Sequence, residues 1–587
     1  MPVDLDPMPS RLGPARRPAA DLDRFLGDPR TGTGPFSYRE IVEAEERDEL
    51  PAGALEAIRD WGFPAYLVPE TVGGRLTSLE ELYHLCRTLS RRNVTIAVAY
   101  GSALLAVNPV WLWGREDQRE TVARAVLDGA FACFGVSEAD HGSDLRACEA
   151  VLADGPDGSL LLSGAKWPVG NATRGRFVTA FARSGERDFS MVLVDKETVD
   201  PARWSTLPFV KTVGLRGHDL SGVVFDEVPL ARDAVLGRPG AGLTQVLKTL
   251  QITRTAISAL SVGTMDAALR IALEYAHERK LYGGTVYQIP AIRDQILSGH
   301  VDLMIAECTA LPVTRALNVV PGRMSLWSCV VKYLVPVMAE EVVASMGRVL
   351  GARSYLREGV ADGVFQKIQR DHAIASIFDG TTHVNLHAVA DQLPFVVRRM
   401  PSDSAEEDLG EVLEAIFSWT RGVPRWEPDG MELQLTNEGS DEITQRWSIA
   451  VRLARNLAAL PGATPTAARI AALVELADAQ HAAHYKLIAA WGPMDVRGKD
   501  AMLAAVRHCE LHALASCVYT WLVNREALGG DFAAGGWLVL CLERLLRGTD
   551  PWVTASEKYL ADLEGHVLGC LADTTVFSLA TLASGTD

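Results

Sequence analysis

SLLLSGAKWPVGNATRGRFVTAFAR, residues 159–183, decides how this chain is built. Leu, Val and Phe recur at alternate positions, and Gly, Pro and Asn punctuate the run. That is the period of a strand, in which successive side chains face opposite sides of a sheet. The texture extends on both sides. DFSMVLVDKE and LSGVVFDEVPL alternate in the same way, and each run ends at Gly, Asp or Pro. Residues 131–240 therefore read as a central β domain of short antiparallel strands.

The flanks have a different period. Upstream, IVEAEERDELPAGALEAIRDWG and SLEELYHLCRTLSRR space their apolar residues as helices do, giving a helical domain over 37–130. Residues 1–36 are rich in Pro, Gly, Arg and Asp and are expected to form a loose arm. Downstream, LTQVLKTLQITRTAISALSVGTMDAALRIALEYAHERK predicts one long, buried helix, followed by helices at 290–320, 325–350 and 381–398. These make a helical bundle over 241–398. MPSDSAEEDLG marks a linker at 399–410, and 411–587 is a further helical block. The fold class is mainly α with a central β domain: helical domain, small β-barrel or sandwich, helical bundle, and an extra C-terminal helical domain.

Composition narrows the function classes. With 57 Lys and Arg against 74 Asp and Glu, the net charge is −17. No concentrated basic patch offsets it, so nucleic acid is excluded as a partner. No apolar run reads as long enough to span a bilayer. The first residues, MPVDLDPMPSRLGPARR, place Pro and charges where a signal peptide needs an apolar core, which points to a cytoplasmic location. Nine scattered cysteines without a CxxC pair read as free, buried thiols.

Several stretches bear on chemistry. GRPGAG, Gly237 to Gly242, is GxxGxG outside any βαβ unit and reads as a turn into the long helix. His481 with His484, and His508 with His512, have helical spacing, but neither HExxH nor a third ligand accompanies them; they read as polar helix faces, with no metal. FGVSEADHGSD, Phe134 to Asp144, offers hydroxyls and glycine backbone that suit a phosphate or a polar ring edge. IFDGTTHV, residues 377–384, sets a lone carboxylate, Asp379, before a Gly-Thr turn in which Thr381 or Thr382 caps the next helix.

Taken together and in order, these motifs resemble the acyl-CoA dehydrogenase family of flavoproteins over roughly residues 38–395. FGVSEADHGSD is similar to that family's TEPxAGSD signature, and LSGAKWPVGN to the strand that follows it. VGLRGHDLSGVVFDEVPLARDAVLG, YAHERKLYG and RDHAIASIFDGTTHV resemble three further segments, the last without a gap. The resemblance implies bound FAD between the β domain and the bundle. It places Phe134, Val136, Ser137, Gly142, Ser143, Gly170 and Thr381 along the flavin. Arg279, Tyr282, Arg348 and Gly351 fall at the pyrophosphate and adenosine end, with Arg279 reaching the FAD of a neighbouring subunit. Arg254 and Gly380 fall on the substrate, and Asp379 at the catalytic base. The implied reaction forms a 2,3-double bond in an acyl thioester of CoA or a carrier protein, by α-proton abstraction and β-hydride transfer to flavin. The implied partners are an electron acceptor such as an electron-transfer flavoprotein and a second copy, in a homodimer or homotetramer.

The chain departs from the family pattern in specific places. Its base position holds Asp where Glu is usual, and the alternative base position on the long helix is Thr253. The shorter side chain loses about 1.5 Å of reach, and a misplacement near 1 Å costs on the order of 10²-fold in rate. Pro168 and Gly170 stand where Trp and Thr flank the flavin. RVLGARSY keeps only Gly351 and Tyr355 of the adenosine segment, with Arg348 in place of Gln, and Pro290 stands where a Gln is usual. An Asp base also suits a nitroalkane oxidase, but the Arg expected seven residues on is Leu386. The alternatives are thus an oxidase or monooxygenase of the same fold, or a non-catalytic homologue. The block at 411–587 resembles in outline the helical extensions of very-long-chain members.

Overall fold

The computed structural model describes residues 13–31, 33–401, 408–428, 431–492, 498–548, 555–573 and 575–583. Six helices come first: α1 Arg17–Leu26, α2 Tyr38–Glu46, α3 Ala54–Trp61, α4 Leu79–Arg92, α5 Val94–Trp113 and α6 Glu116–Leu127. Helix α4 shows why they start and stop where they do. Ser78 accepts a hydrogen bond from the Glu81 backbone N–H, Glu80 and Glu81 sit at the positive end, and Arg91 and Arg92 at the negative end. The arm expected over 1–36 is corrected from residue 17 onward. Ala19, Leu22 and Leu26 share one helical face, and α1 buries it against α4. The first twelve residues lie outside the described ones.

The β domain has seven strands: β1 Ala132–Gly135, β2 Val151–Asp154, β3 Leu160–Gly170, β4 Phe177–Arg183, β5 Phe189–Asp195, β6 Trp204–Thr206 and β7 Leu220–Leu230. The main path is β1-β4-β2-β3-β7-β6, with β5 also paired to β4. The sheet is mixed, because β4 pairs parallel with β1 and β2 but antiparallel with β5. A purely antiparallel arrangement is the part of the sequence reading that fails. Alternation reports which face a residue takes, not the direction of its partner strand.

Gly242 opens the long helix α7, Gly242–Glu278. The residues before it, Gly237 and Gly240, have left-handed φ of 64° and 81°, so GRPGAG is the turn into the bundle. Helix α7 is buried along most of its length although it carries many hydroxyls. Thr249, Thr255, Ser258 and Thr264 each donate to a carbonyl one turn back, at 2.6–2.9 Å, so these buried hydroxyls are satisfied within the helix. Around it lie α8 Pro290–Val319, α9 Met324–Leu350, α10 Val364–His372 and α11 Thr382–Arg398, with the short hairpin β8 Lys280–Leu281 and β9 Gly284–Thr285 after α7. Helix α10 escaped the sequence reading. Three helices, α5, α7 and α8, are long and apolar enough to cross a membrane by length and composition, which corrects the expectation that no run reaches that length. Between 83% and 94% of their apolar windows is buried inside the protein, so a core rather than lipid covers them.

Helix α10 fastens the three regions together. Arg370 forms a two-pronged pair with Glu45 of α2, at 2.6 and 2.9 Å, and donates to the Val213 carbonyl at 2.6 Å. Asp371 accepts from Thr95 of α5 at 3.0 Å, from the Leu215 N–H at 2.7 Å, and from Lys367.

The C-terminal block contains α12 Gly410–Phe417, α13 Glu442–Gln445, α14 Trp447–Ala459, α15 Pro465–Ala489, α16 Lys499–Leu528, α17 Gly530–Ala534, α18 Gly536–Arg547 and α19 Glu557–Ala572. It packs directly on the bundle through α12, α16 and α18 against α8, and α16 against α11. The 399–410 linker has residues 402–407 outside the described ones. The four histidines expected on polar helix faces are all buried. His508 Nε2 lies 3.0 Å from Asp441 Oδ2, and His481 stacks on Trp447 with ring centroids 4.6 Å apart. All nine cysteines are free and buried.

Candidate active site

The stretch after α10 turns back on itself before α11 begins. Asp379 and Gly380 take left-handed φ of 53° and 99°. That region is unfavourable for a residue with a side chain, and Asp379 is held in it by its neighbours. Arg254 of α7 donates from Nε to the Asp379 carbonyl at 2.9 Å. A Cβ at position 380 would come within 3.0 Å of Arg254 Nη2, so glycine is required there. Asn385 Nδ2 donates to the Gly380 and Thr381 carbonyls at 2.8 and 2.9 Å, and Thr381 Oγ1 caps α11 by accepting from the Val384 N–H. Of the two threonines, Thr381 is the cap. Asp379, Gly380, Thr381 and Arg254 therefore meet at one turn.

The Asp379 carboxyl is half-buried at this turn. Burial raises its pKa above the ordinary 3.8; Lys332, hydrogen bonding from Thr253, and Arg254 pull the other way. Thr381 caps α11, so Asp379 lies two residues outside the start of that helix.

The next group of expected residues lies along one wall of the β domain. Phe134 and Gly135 end β1, and Val136, Ser137, Gly142 and Ser143 follow in the loop. Glu138 anchors that loop: it accepts from Lys166 Nζ at 2.7 Å and from the Glu149 and Ala150 N–H groups at 2.7 and 3.0 Å. Burial works against the Glu138 carboxylate, but the Lys166 and backbone hydrogen bonds outweigh it and bring its pKa to about 2. The Ser137 carbonyl accepts from the Trp167 N–H at 2.9 Å, joining the loop to the end of β3. Gly170 closes β3. A Cβ there would lie 2.8 Å from Ser102 Oγ and 3.1 Å from His218 Nε2, so these two side chains fill the space that a larger residue would take. Gly214, beside this wall, rests against the Arg370 carbonyl, linking it to the helix that leads to the Asp379 turn.

The remaining expected residues lie elsewhere. Arg279 follows the C-terminal end of α7, 25 residues beyond Arg254, which is roughly 37 Å along a straight helix. Arg348 and Gly351 end α9 near it, where Arg353 lies over the Tyr275 ring at 5.9 Å. Tyr282 is 97% exposed and Tyr355 89%. The expected residues thus fall at the Asp379 turn, along the β-domain wall, and, well apart from the Asp379 turn, at the Arg279 and Arg348 ends of α7 and α9.

Three residues of the site were not singled out from sequence. Lys332 and His218 were passed over, and Glu138 was counted only as part of a polar loop. Lys332 had a signal: a lone cation in the apolar run CVVKYLVPVM must be buried with partners. His218 had none, because its place beside Gly170 depends on the fold of the 207–219 loop.

Models of the acyl-CoA dehydrogenase N-terminal, middle and C-terminal domains match residues 37–130, 133–228 and 240–393 in order. This chain belongs to the acyl-CoA dehydrogenase family. A probable acyl-CoA dehydrogenase, FadE25 of Mycobacterium tuberculosis, is 25% identical over 388 residues, covering 64% of this chain and 97% of its own length. The structure of an acyl-CoA dehydrogenase complexed with FAD from Bacillus anthracis shares the fold with a TM-score of 0.63 and 16% identity, covering 94% of this chain and 90% of that one. A likeness of that extent includes most of the C-terminal block. A prolyl acyl carrier protein oxidase, AnaB, shares the fold over 65% of this chain and 98% of its own, with a TM-score of 0.58 and 17% identity.

As an acyl-CoA dehydrogenase family member, the chain is an FAD-dependent oxidoreductase. Its residues fit that cofactor. Arg279 Nε is buried without a protein partner, as a donor meant for a phosphate would be. Backbone at Gly142 and Gly351 is open, since a Cβ at either would meet nothing within 4 Å. Phe134, Val136, Ser137 and Ser143 would hold the flavin end, and Arg279 with Arg348 the pyrophosphate end.

Proposed function

We propose that this enzyme desaturates an acyl thioester between C2 and C3, with Asp379 as the base. The observation that carries this reading is the state of the Asp379 carboxyl: half-buried, raised in pKa, and without the three-donor hydrogen bonding that ties Asp371 and Glu138. A base must keep a lone pair for the substrate, and a raised pKa brings it toward the pH at which it works.

Asp379 takes the proton from the α carbon of the bound thioester. Bound FAD supplies the electron sink for the β hydrogen and its electron pair. Arg254 holds the Asp379 backbone in place from α7, and Gly380 lets Arg254 come close. The left-handed turn projects the carboxylate from a constrained backbone, which offsets the methylene that Asp lacks. Closing the substrate over this turn removes water from the carboxylate and raises its basicity further.

The separation of the Asp379 and Arg279 clusters supports a dimer or tetramer. Arg279, Arg348 and exposed Tyr282 and Tyr355 are then presented to the FAD of a second copy. Relatives and fold neighbours act on CoA and carrier-protein thioesters, and both carriers remain within this reading. Reoxidation by an electron-transfer flavoprotein completes the cycle.

The test is anaerobic mixing of the yellow holoenzyme with a panel of acyl-CoAs and of acyl chains on a carrier protein. Bleaching of the flavin that Asp379→Asn abolishes, with flavin still bound, is the expected result. Flavin that no thioester bleaches would overturn the reading, and bleaching that Asp379→Asn leaves intact would remove Asp379 as the base.

A further inference from the structure

Lys332 sits on α9 with 1% of its surface exposed. A buried ammonium is costly unless it is hydrogen-bonded and faces a counter-charge. Its Nζ donates to the Ala375 carbonyl at 2.6 Å and lies 5.5 Å from the Phe378 ring centroid. Both partners belong to the turn that carries Asp379. No carboxylate lies within ion-pair distance of Lys332 among the described residues. The group that acts on it most strongly, apart from burial, is Asp379, and Lys332 is likewise the largest charged influence on Asp379.

We propose that Lys332 is the positioning residue of this site: its ammonium pins the 375–379 turn through the Ala375 carbonyl and supplies the fixed positive charge that keeps the Asp379 carboxylate ionised before substrate arrives. This rests on reading Asp379 as the base.

The other groups around the pair are few. From α7 come Thr253 and Arg254, the latter with its guanidinium spent on the Asp379 carbonyl and on Cys329 Sγ at 3.6 Å. From α9 come Cys329 and Glu340, and Glu340 accepts from Ser376 Oγ at 2.5 Å. From α10 comes His372, whose pKa burial and Lys332 lower to about 4, so it is neutral and hydrogen-bonds to Ser261 at 3.0 Å. Lys332 is itself lowered to about 8 by burial, with Asp379 opposing that shift. It is therefore mostly charged at neutral pH. An Asp in place of Glu sharpens the need for such a device, because a shorter side chain cannot swing to find a solvated position.

The experiment follows the Asp379 carboxyl directly, without substrate. Holoenzyme labelled with carboxyl-¹³C aspartate is titrated by NMR, and the Asp379 signal is assigned by its loss in Asp379→Asn. Lys332→Gln keeps a hydrogen-bond donor for Ala375 and removes the charge; Lys332→Arg keeps the charge. The midpoint is expected to rise by at least about one pH unit in Lys332→Gln and to return in Lys332→Arg. The acid limb of flavin reduction by the best acyl-CoA found should move by the same amount. An unchanged midpoint in Lys332→Gln with flavin retained overturns the proposal. If Lys332→Gln fails to hold flavin, the titration of native protein decides. As its pH rises past about 8 and Lys332 is neutralised, the Asp379 signal should show a second inflection; a single inflection overturns the proposal. Because the titration needs no turnover, a shift without bleaching by any thioester would sink the desaturase reading while leaving the Lys332–Asp379 coupling standing.

Discussion

Two aspartates of this protein, Asp441 fully buried and Asp379 half-buried, have opposite lives. Asp441, in the C-terminal block, is saturated. Trp327 Nε1 donates to its Oδ1 at 2.7 Å, Thr444 Oγ1 donates to Oδ2, and His508 stands 3.0 Å from Oδ2. Burial opposes its charge, but these hydrogen bonds win and hold its pKa well below the usual carboxylate range. Asp379 is half-buried at its turn, within reach of Thr253, with its two cations turned mostly to backbone carbonyls. Burial wins there, and its pKa rises. The difference teaches what marks a working carboxylate in this fold. A structural aspartate has spent its lone pairs, whereas the aspartate at the Asp379 turn keeps them for a proton.

The largest test of that contrast is kinetic. Asp379→Asn should lower the rate of flavin reduction by an acyl thioester on the order of 10²–10⁴-fold, the range a general base supplies, measured by anaerobic stopped flow. Its stability in guanidinium should be unchanged or higher. Asp441→Ala should do the reverse: it leaves the Trp327, Thr444 and His508 groups buried and unpaired, costs about 3–5 kcal/mol in denaturant unfolding, and spares the flavin chemistry of whatever fraction stays folded. An Asp441→Ala protein as stable as the parent would break the comparison.

Next in size is Asp379→Glu. The left-handed turn sets the carboxylate for a short side chain, so an added methylene should misplace it and cost on the order of 10²-fold in flavin reduction. A faster Asp379→Glu enzyme would mean that the turn does not compensate for the missing reach.

The pH dependence separates the two aspartates further. Asp441 has a depressed folded pKa, so its stabilisation is present above its unfolded value near 3.8 and is lost as the pH falls through the folded value. Asp379 has a raised folded pKa, so its contribution is present below 3.8 and is lost as the pH rises through the folded value. The stability gap between parent and Asp441→Asn should therefore narrow below about pH 4, and the advantage of Asp379→Asn should appear only above it. The histidines around Asp441 add a further pH dependence. Burial lowers His484 to about 2, His481 to about 3 and His512 to about 4, from 6.5. Each binds a proton only when unfolded between those values, so stability should fall with pH below 6.5. His484→Leu should remove about 1.4 kcal/mol of that loss per pH unit.

Much of this was legible before any coordinates. The alternation of LLLSGAKWPVG and FVTAFAR called for strands, and the boundaries of the long helix fall within a residue or two of Gly242–Glu278. Asp379 stood out as a lone carboxylate beside a turn. What escaped was of one kind. Helix α1 looked like an arm because the Pro and Gly of residues 1–36 outnumber its three apolar contacts, Ala19, Leu22 and Leu26. His481, His484, His508 and His512 looked like polar faces because the periodicity of a helix says which residues share a side, not what covers that side. Helices α5, α7 and α8 pass the length and apolarity of a membrane span for the same reason.

The sequence by itself determined the order of α, β and α regions, the turn at Asp379-Gly380 and the family to which these motifs belong, because period, turn chemistry and motif spacing are local properties of a chain. Only the tertiary structure decided which charges matter. Lys332, Arg254 and Thr253 come to Asp379 from two other helices, α9 and α7, and Trp327 comes to Asp441 from α9, the helix that also carries Lys332. A carboxylate's pKa is set by burial and by donors that lie far away in sequence, so the base and the structural knot become distinguishable only when the helices are packed.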